Sequence, residues 1–236
     1  MPNKIMKREI RSDINSFMLS ESLADVFSEY RILEQVYAAG LKEVQTKLEI
    51  LDDEFSVKYD YNPIHHMEYR LKSPKSIVKK VKKKNIEVNL QSIEENLLDI
   101  AGIRVICNYE KDIYRIFNLL TKQNDIKILE VKDYLKNPKP SGYRSLHLVV
   151  SIPVFLADSC RNVPVEIQIR TVAMDYWASL EHHLKYKNEN SIPDDVKERL
   201  LQCANVIASV QNEMESIHNE LYTTSHTDDR KSKKRP

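Results

Sequence analysis

The sequence predicts an α+β (mixed α/β) fold: a mixed β-sheet of about five strands flanked by helices, with helical extensions at both ends. Three observations point there. Apolar residues recur at helical spacing before residue 60, with Leu33, Tyr37, Leu41, Val44, Leu48 and Leu51 on one face. Short β-branched runs then alternate with helical stretches between residues 101 and 170. Helical periodicity returns in a long stretch near the C-terminus.

In order, residues 1 to about 20 are polar and weakly patterned, and Ser22 to Leu51 predicts one or two amphipathic helices. YDYNPIHH (59–66) contains a proline and reads as a loop. Ser73-Pro74 starts a helix, with proline in its first turn, that runs through IVKKVKKKN. NLQSIEENLL follows as a second helical stretch. AGIRVIC (101–107), IKILEV (126–131), LHLVVSI (146–152) and VEIQIR (165–170) read as strands, with a helix from Asp112 to Gln123 between the first two. MDYWASLEHHLKYK and Asp194 to Tyr222 read as helices, and the polar, basic tail TTSHTDDRKSKKRP as disordered. The implied organisation is an N-terminal helical extension (1–58), a mixed α/β domain (59–190), a C-terminal helix (191–222) and a basic tail (223–236).

Bulk composition removes several classes of function. The 236 residues carry a formal net charge of +1 and contain only three glycines. No glycine-rich phosphate loop is possible, so side chains must hold any nucleotide. No apolar run reaches the roughly 18 residues of a membrane span. The N-terminus has no apolar signal core, so a cytoplasmic protein is expected. Cys107, Cys160 and Cys203 are widely spaced without a CxxC, as expected for reduced thiols. His65-His66 and His182-His183 are adjacent pairs, each able to offer one well-placed metal ligand, so no zinc site is expected.

The strands carry polar exceptions. In VEIQIR, Val165, Ile167 and Ile169 share one face, and Glu166, Gln168 and Arg170 share the other. Arg104 stands alone opposite Ile103, Val105 and Cys107, and His147 opposite Leu146, Leu148 and Val150. A single such residue is commonly just solvated. Charges on several strands together point to one concave surface, with Asp99 at the entry to the first strand. Asp99 and Glu166 suit Mg²⁺, which takes one or two carboxylates and completes its shell with water and phosphate oxygens.

Two further stretches suit a nucleotide. On a helix, Ser76, Lys80 and Lys83 share a face, and with Arg70 and Lys72 just before they match a triphosphate. A merely solvated lysine face and a nucleic-acid patch are the alternatives. Against the latter stand the near-zero net charge and the lack of aromatics among the lysines. In KDYLKNPKPSGYRSLH (132–147), Gly142 permits a tight turn presenting Tyr143 as a stacking platform for a base, with Lys139 and Arg144 near phosphates. A tyrosine that only covers the sheet edge is the alternative.

YRLKSPKSI, LLDIAGIRVIC, KDYLKNPKPSGYRSLH and VEIQIRTVAMDYWASLEHHLKYK, in this order, resemble the RelA/SpoT-type alarmone synthetases across about residues 60–190. The chain is similar to a small alarmone synthetase, and LKEVQTKLEILDDEF…NPIHHME resembles the RelP branch most. The resemblance implies a nucleotidyltransferase-like sheet and a pyrophosphokinase that moves the β,γ-pyrophosphate of ATP onto the 3′-hydroxyl of GDP or GTP. It implies Arg70 and Arg104 on adenine, with Lys72, Ser76, Lys80 and Lys83 on the ATP phosphates. Tyr143 would stack on guanine, with Lys139, Arg144, His147 and Gln168 at the acceptor. Asp99 and Glu166 would bind Mg²⁺, with Glu166 the base for the 3′-hydroxyl. Tyr69 departs from the glycine that many members carry before the arginine.

No His-Asp dipeptide occurs, so synthesis without hydrolysis is expected. Val196, Leu200, Ala204, Ile207, Val210, Met214, Ile217 and Leu221 form a stripe along the last helix, and the resemblance favours a homotetramer built through the flanking helices. Membrane and DNA partners are not expected, and single-stranded RNA is left open without a positive signal. The competing reading is a catalytically silent nucleotide- or RNA-binding module using the lysine helix.

Overall fold

The computed structural model describes residues 23–87, 89–187 and 193–232. The expectation for residues 1 to about 20 lies outside these. The elements in order are α1 (Leu23–Lys58), β1 (Ile64–Leu71), α2 (Pro74–Lys84), α3 (Leu90–Asn96), β2 (Ala101–Cys107) and α4 (Glu110–Thr121). They continue as β3 (Lys127–Asp133), β4 (Leu146–Phe155), β5 (Cys160–Thr171), α5 (Val172–Lys187) and α6 (Asp194–Ser232).

Five strands form one sheet in the order β1-β2-β5-β4-β3. β2 and β5 run parallel, and every other pair is antiparallel. The core face is apolar because the alternation in the sequence places Ile103, Val105, Leu146, Leu148, Val165, Ile167 and Ile169 there, all buried. Leu33, Val36, Tyr37, Val44 and Leu48 of α1 and Ile113, Ile116 and Leu120 of α4 join the same core cluster. Gly40 lets α1 lie directly on β5: a Cβ there would stand 2.5 Å from Val163 Cγ1.

Three expectations are corrected. The segment after Pro63 is an edge strand from Ile64 onward, not a continuing loop, so Arg70 lies on a strand that pairs with β2. The apolar stripe of α6 divides. Ala204 is buried against Trp177 and Ala178 of α5, with Leu200 and Ile207 packed beside them, while Val210, Met214, Ile217 and Leu221 stay exposed. α6 also runs through Ser232, past Tyr222, because no glycine or proline interrupts residues 194–235.

Gly40 gives a testable reversal. Replacing a mid-helix glycine by alanine normally stabilises by about 1 kcal/mol. Here the added methyl must push α1 off β5, so Gly40→Ala is expected to destabilise by about 1–3 kcal/mol. Adding Val163→Ala should restore part of the loss. Urea unfolding of the three variants checks this; a more stable single variant would disprove the close packing.

Candidate active site

Register brings the polar exceptions together. Glu68, Arg104, Gln168, His147 and Lys132 pair in one row across all five strands. In the next row Arg70 pairs with Gly102, and Gly102 with Glu166. Gly102 has no side chain and is covered by that of Arg70; a Cβ there would stand 3.5 Å from Arg70 Nε.

At one end of this face, Asp99 precedes β2 and receives two lysines. Lys72 Nζ and Lys80 Nζ each donate to Asp99 Oδ2 at 2.5 Å. Lys72 follows β1, and Lys80 lies one turn from Ser76 on α2. Ser73 caps α2, its hydroxyl 2.9 Å from that of Ser76, and Pro74 opens the helix. A capped helix N-terminus, a serine hydroxyl and two lysines make an anion cradle. Burial would raise the Asp99 carboxyl, but the two lysines outweigh it and hold it below its ordinary range. Burial lowers the Lys72 ammonium, against the pull of Asp99.

At the other end, Tyr143 leaves the turn at Gly142, whose φ of +86° lies in the left-handed region. Its hydroxyl lies 2.7 Å from His147 Nε2. Lys139 Nζ sits 4.7 Å from the Tyr143 ring centroid and 4.6 Å from that of Tyr134. His147 Nδ1 faces Glu166 Oε1 at 4.0 Å, and Gln168 Nε2 donates to Glu166 Oε2 at 3.1 Å. In the middle of the row, Arg104 Nη1 bonds Glu68 Oε2 at 2.5 Å and lies 3.8 Å from Asp175 Oδ1.

The family described as a region found in RelA/SpoT proteins matches residues 69–191. The Bacillus subtilis (strain 168) protein named GTP pyrophosphokinase YwaC is 39% identical over 201 residues, covering 85% of this chain and 96% of that protein. This chain belongs to the RelA/SpoT family. A second relative from the same strain, GTP pyrophosphokinase YjbM, is 36% identical over 197 residues, 84% of this chain and 92% of its own length. The crystal structure of small alarmone synthetase 1 from B. subtilis bound to its product pppGpp aligns with a TM-score of 0.76 at 34% identity, covering 83% of this chain and 99% of that one.

Within this RelA/SpoT chain, two expected residues stand apart from the constellation. Arg144 lines a crevice together with Met174 and Trp177 of α5 and Ala204 and Gln211 of α6. Lys83 is exposed on α2, and Asp99 is met by Lys72 and Lys80 instead. Three residues outside the expected set join it: Glu68, Asp175 and Arg170. Arg170 is 3% exposed despite its position on the polar face. The alternation in VEIQIR flagged it; its burial was not readable from the sequence.

His147 gives a pH prediction. Burial, with the charges of Arg170, Lys139 and Lys132, pushes its imidazole from the ordinary 6.5 down to about 3. The unfolded chain takes up this proton below about 6.5 and the folded one does not. Stability therefore falls as pH drops from about 6.5 towards about 3, by about 1.4 kcal/mol per pH unit from this one group. Asp99, held low in the folded state, begins to lose its contribution only as pH falls below 3.8, so its window lies outside the range from pH 6.5 to 4.5. Between pH 6.5 and 4.5, His147→Gln should flatten the slope of unfolding free energy measured in urea; an unchanged slope would show that another group carries it.

Proposed function

We propose that this protein is a GTP pyrophosphokinase that transfers the β,γ-pyrophosphate of ATP to the 3′-hydroxyl of GDP or GTP, yielding ppGpp or pppGpp and AMP, in the cytoplasm and without hydrolysing the product. The observation that carries the reading is the two-ended polar face: a lysine-rich anion cradle at Asp99 and an aromatic, carboxylate-bearing end at Tyr143 and Glu166, spanned by one register row. Two relatives that span nearly the whole chain are named GTP pyrophosphokinase. A structural neighbour is bound to its product pppGpp.

In this reading Arg70 and Arg104 stack on adenine, Arg104 being steadied by Glu68 and Asp175. Lys72, Lys80 and Ser76 turn to the ATP phosphates. Guanine stacks on Tyr143, with Lys139 beside the acceptor phosphates. Glu166 accepts the proton of the 3′-hydroxyl. The freed oxygen attacks the β-phosphorus as the bond from that phosphorus to the α,β-bridging oxygen breaks, and AMP leaves with the bonding electrons. Positioning and charge neutralisation do most of the work in such a transfer.

Mg²⁺ fits the residues present. Among the described residues no cluster of three or more side chains forms a protein-only metal cage, and Mg²⁺ does not require one. Asp99 Oδ1 is buried without a hydrogen-bond partner among the described residues, an acceptor suited to a cation. Asp99 and Glu166 hold the ion in this reading, and it supplies charge neutralisation on the transferring phosphates.

The deciding experiment mixes the protein with Mg²⁺, γ-labelled ATP and either GDP or GTP. Labelled guanosine product with stoichiometric AMP is expected. Glu166→Gln should abolish it while ATP affinity stays within about threefold, since general-base help is worth about 10²–10⁴-fold. Retained turnover in that variant would overturn the role given to Glu166, and nucleotide binding without any product in the wild type would favour a silent binding module.

The exposed apolar edge of α6, with Tyr176, Leu180 and Leu184 of α5, supports a homotetramer joined through the flanking helices. Light scattering at micromolar concentration should give four times the 27.6 kDa chain mass. Val210→Asp combined with Met214→Asp should lower it; a monomeric wild type would refute the assembly.

A further inference from the structure

We propose that Arg170 is the positioning residue of the catalytic floor, orienting Glu166 through Gln168 and setting, through Tyr143, the tautomer of the His147 ring that faces the same carboxylate. The proposal rests on the pyrophosphokinase reading given above, in which Glu166 is the base. The Arg170 side chain is buried, and its guanidinium reaches three partners. Nη1 donates to Asp175 Oδ1 at 3.2 Å, and Nη2 donates to Gln168 Oε1 at 2.6 Å and to the Tyr143 hydroxyl at 3.3 Å.

A guanidinium only donates, and this fixes the sense of the Gln168 bond and favours one sense beyond Tyr143. In the first arm Gln168 must turn its carbonyl oxygen to Arg170. Its NH₂ then faces Glu166 Oε2, as observed at 3.1 Å. In the second arm the Tyr143 oxygen accepts from Arg170, and in this assignment its own proton goes to His147 Nε2 at 2.7 Å. His147 then carries its proton on Nδ1, the atom that faces Glu166 Oε1 at 4.0 Å. In this assignment the 4.0 Å gap is left for the acceptor hydroxyl. One arginine thus sets an amide orientation and an imidazole tautomer, and both converge on the carboxylate.

The geometry also explains the residue type. Lysine offers a point charge on a flexible stem and cannot hold Asp175, Gln168 and Tyr143 in a planar fork. Asp175 lies between Arg170 at 3.2 Å and Arg104 at 3.8 Å, so the same carboxylate ties the floor to the adenine-facing arginine.

The test compares wild type, Arg170→Lys and Arg170→Met by steady-state kinetics, melting temperature and ¹⁵N NMR of histidine-labelled protein, with His147→Gln assigning the resonance. The expected result is a kcat about 10- to 100-fold lower in both variants, the range seen when outer-shell partners are removed. The KM for ATP should stay within about twofold, and the His147 signal should move from the Nδ1–H tautomer towards a mixture. A kcat within about twofold of wild type, or an unchanged tautomer, would overturn the proposal. So would losses of kcat and ATP affinity in parallel with a collapsed melting temperature, since these mark a purely structural arginine; Arg170→Lys keeps the buried charge and guards against misfolding of the methionine variant. A wild type that makes no guanosine product would defeat the functional reading instead, and the tautomer comparison would still decide what Arg170 orients.

Discussion

β5 lies at the centre of the sheet, with parallel β2 on one side and antiparallel β4 on the other, and its two-residue alternation governs both halves of the molecule. Val165, Ile167 and Ile169 are fully buried in the core. Glu166, Gln168 and Arg170 point the other way because a strand leaves no third choice. A slip of one residue would exchange the two sets, drawing a carboxylate and a guanidinium into an apolar core. The hydrophobic face thus holds the polar face in register, and stability and chemistry share one constraint.

That constraint extends sideways through the ladder. Arg104 is opposite Gln168 because Ile103 is opposite Ile167, and His147 is opposite Gln168 because Leu148 is opposite Ile167. The anion cradle is fixed by a different device. α2 begins immediately after β1, with Ser73 as its cap, so Lys72 and Lys80 approach Asp99 from a strand end and a helix face. Neither device needs a glycine-rich loop, which suits a chain with three glycines.

The parts of the fold that were legible in the sequence are those where burial is one-sided and strong. β2, β4 and β5 announce themselves through β-branched alternation, and α1 through its 3.6-residue spacing. β1 did not, because IHHMEYRL is an edge strand whose outward positions are polar and whose inward Met67, Tyr69 and Leu71 are only partly buried. Its polar side chains imitate a loop. Most of the site residues were readable as polar interruptions of apolar strands. Arg144 was not separable from Tyr143 by sequence, since neighbours on a turn diverge by backbone geometry that a string of letters does not carry. Glu68 and Asp175 join the site only because folding places them against Arg104, across 36 and 71 residues respectively, a long-range fact no local pattern encodes.

The two margins of the sheet share a detail. β1 and β3 each carry a register irregularity, at Ile64/His66 and at Ile128/Glu130. β3 also exposes Ile128, Leu129 and Val131. A flat margin with such side chains would template strand addition from another molecule. The irregularities twist each margin away from a straight ladder, and Lys127, Glu130, Lys132 and Asp133 add charge along β3. The chain can therefore keep an open-sided sheet while discouraging its own polymerisation into fibrils.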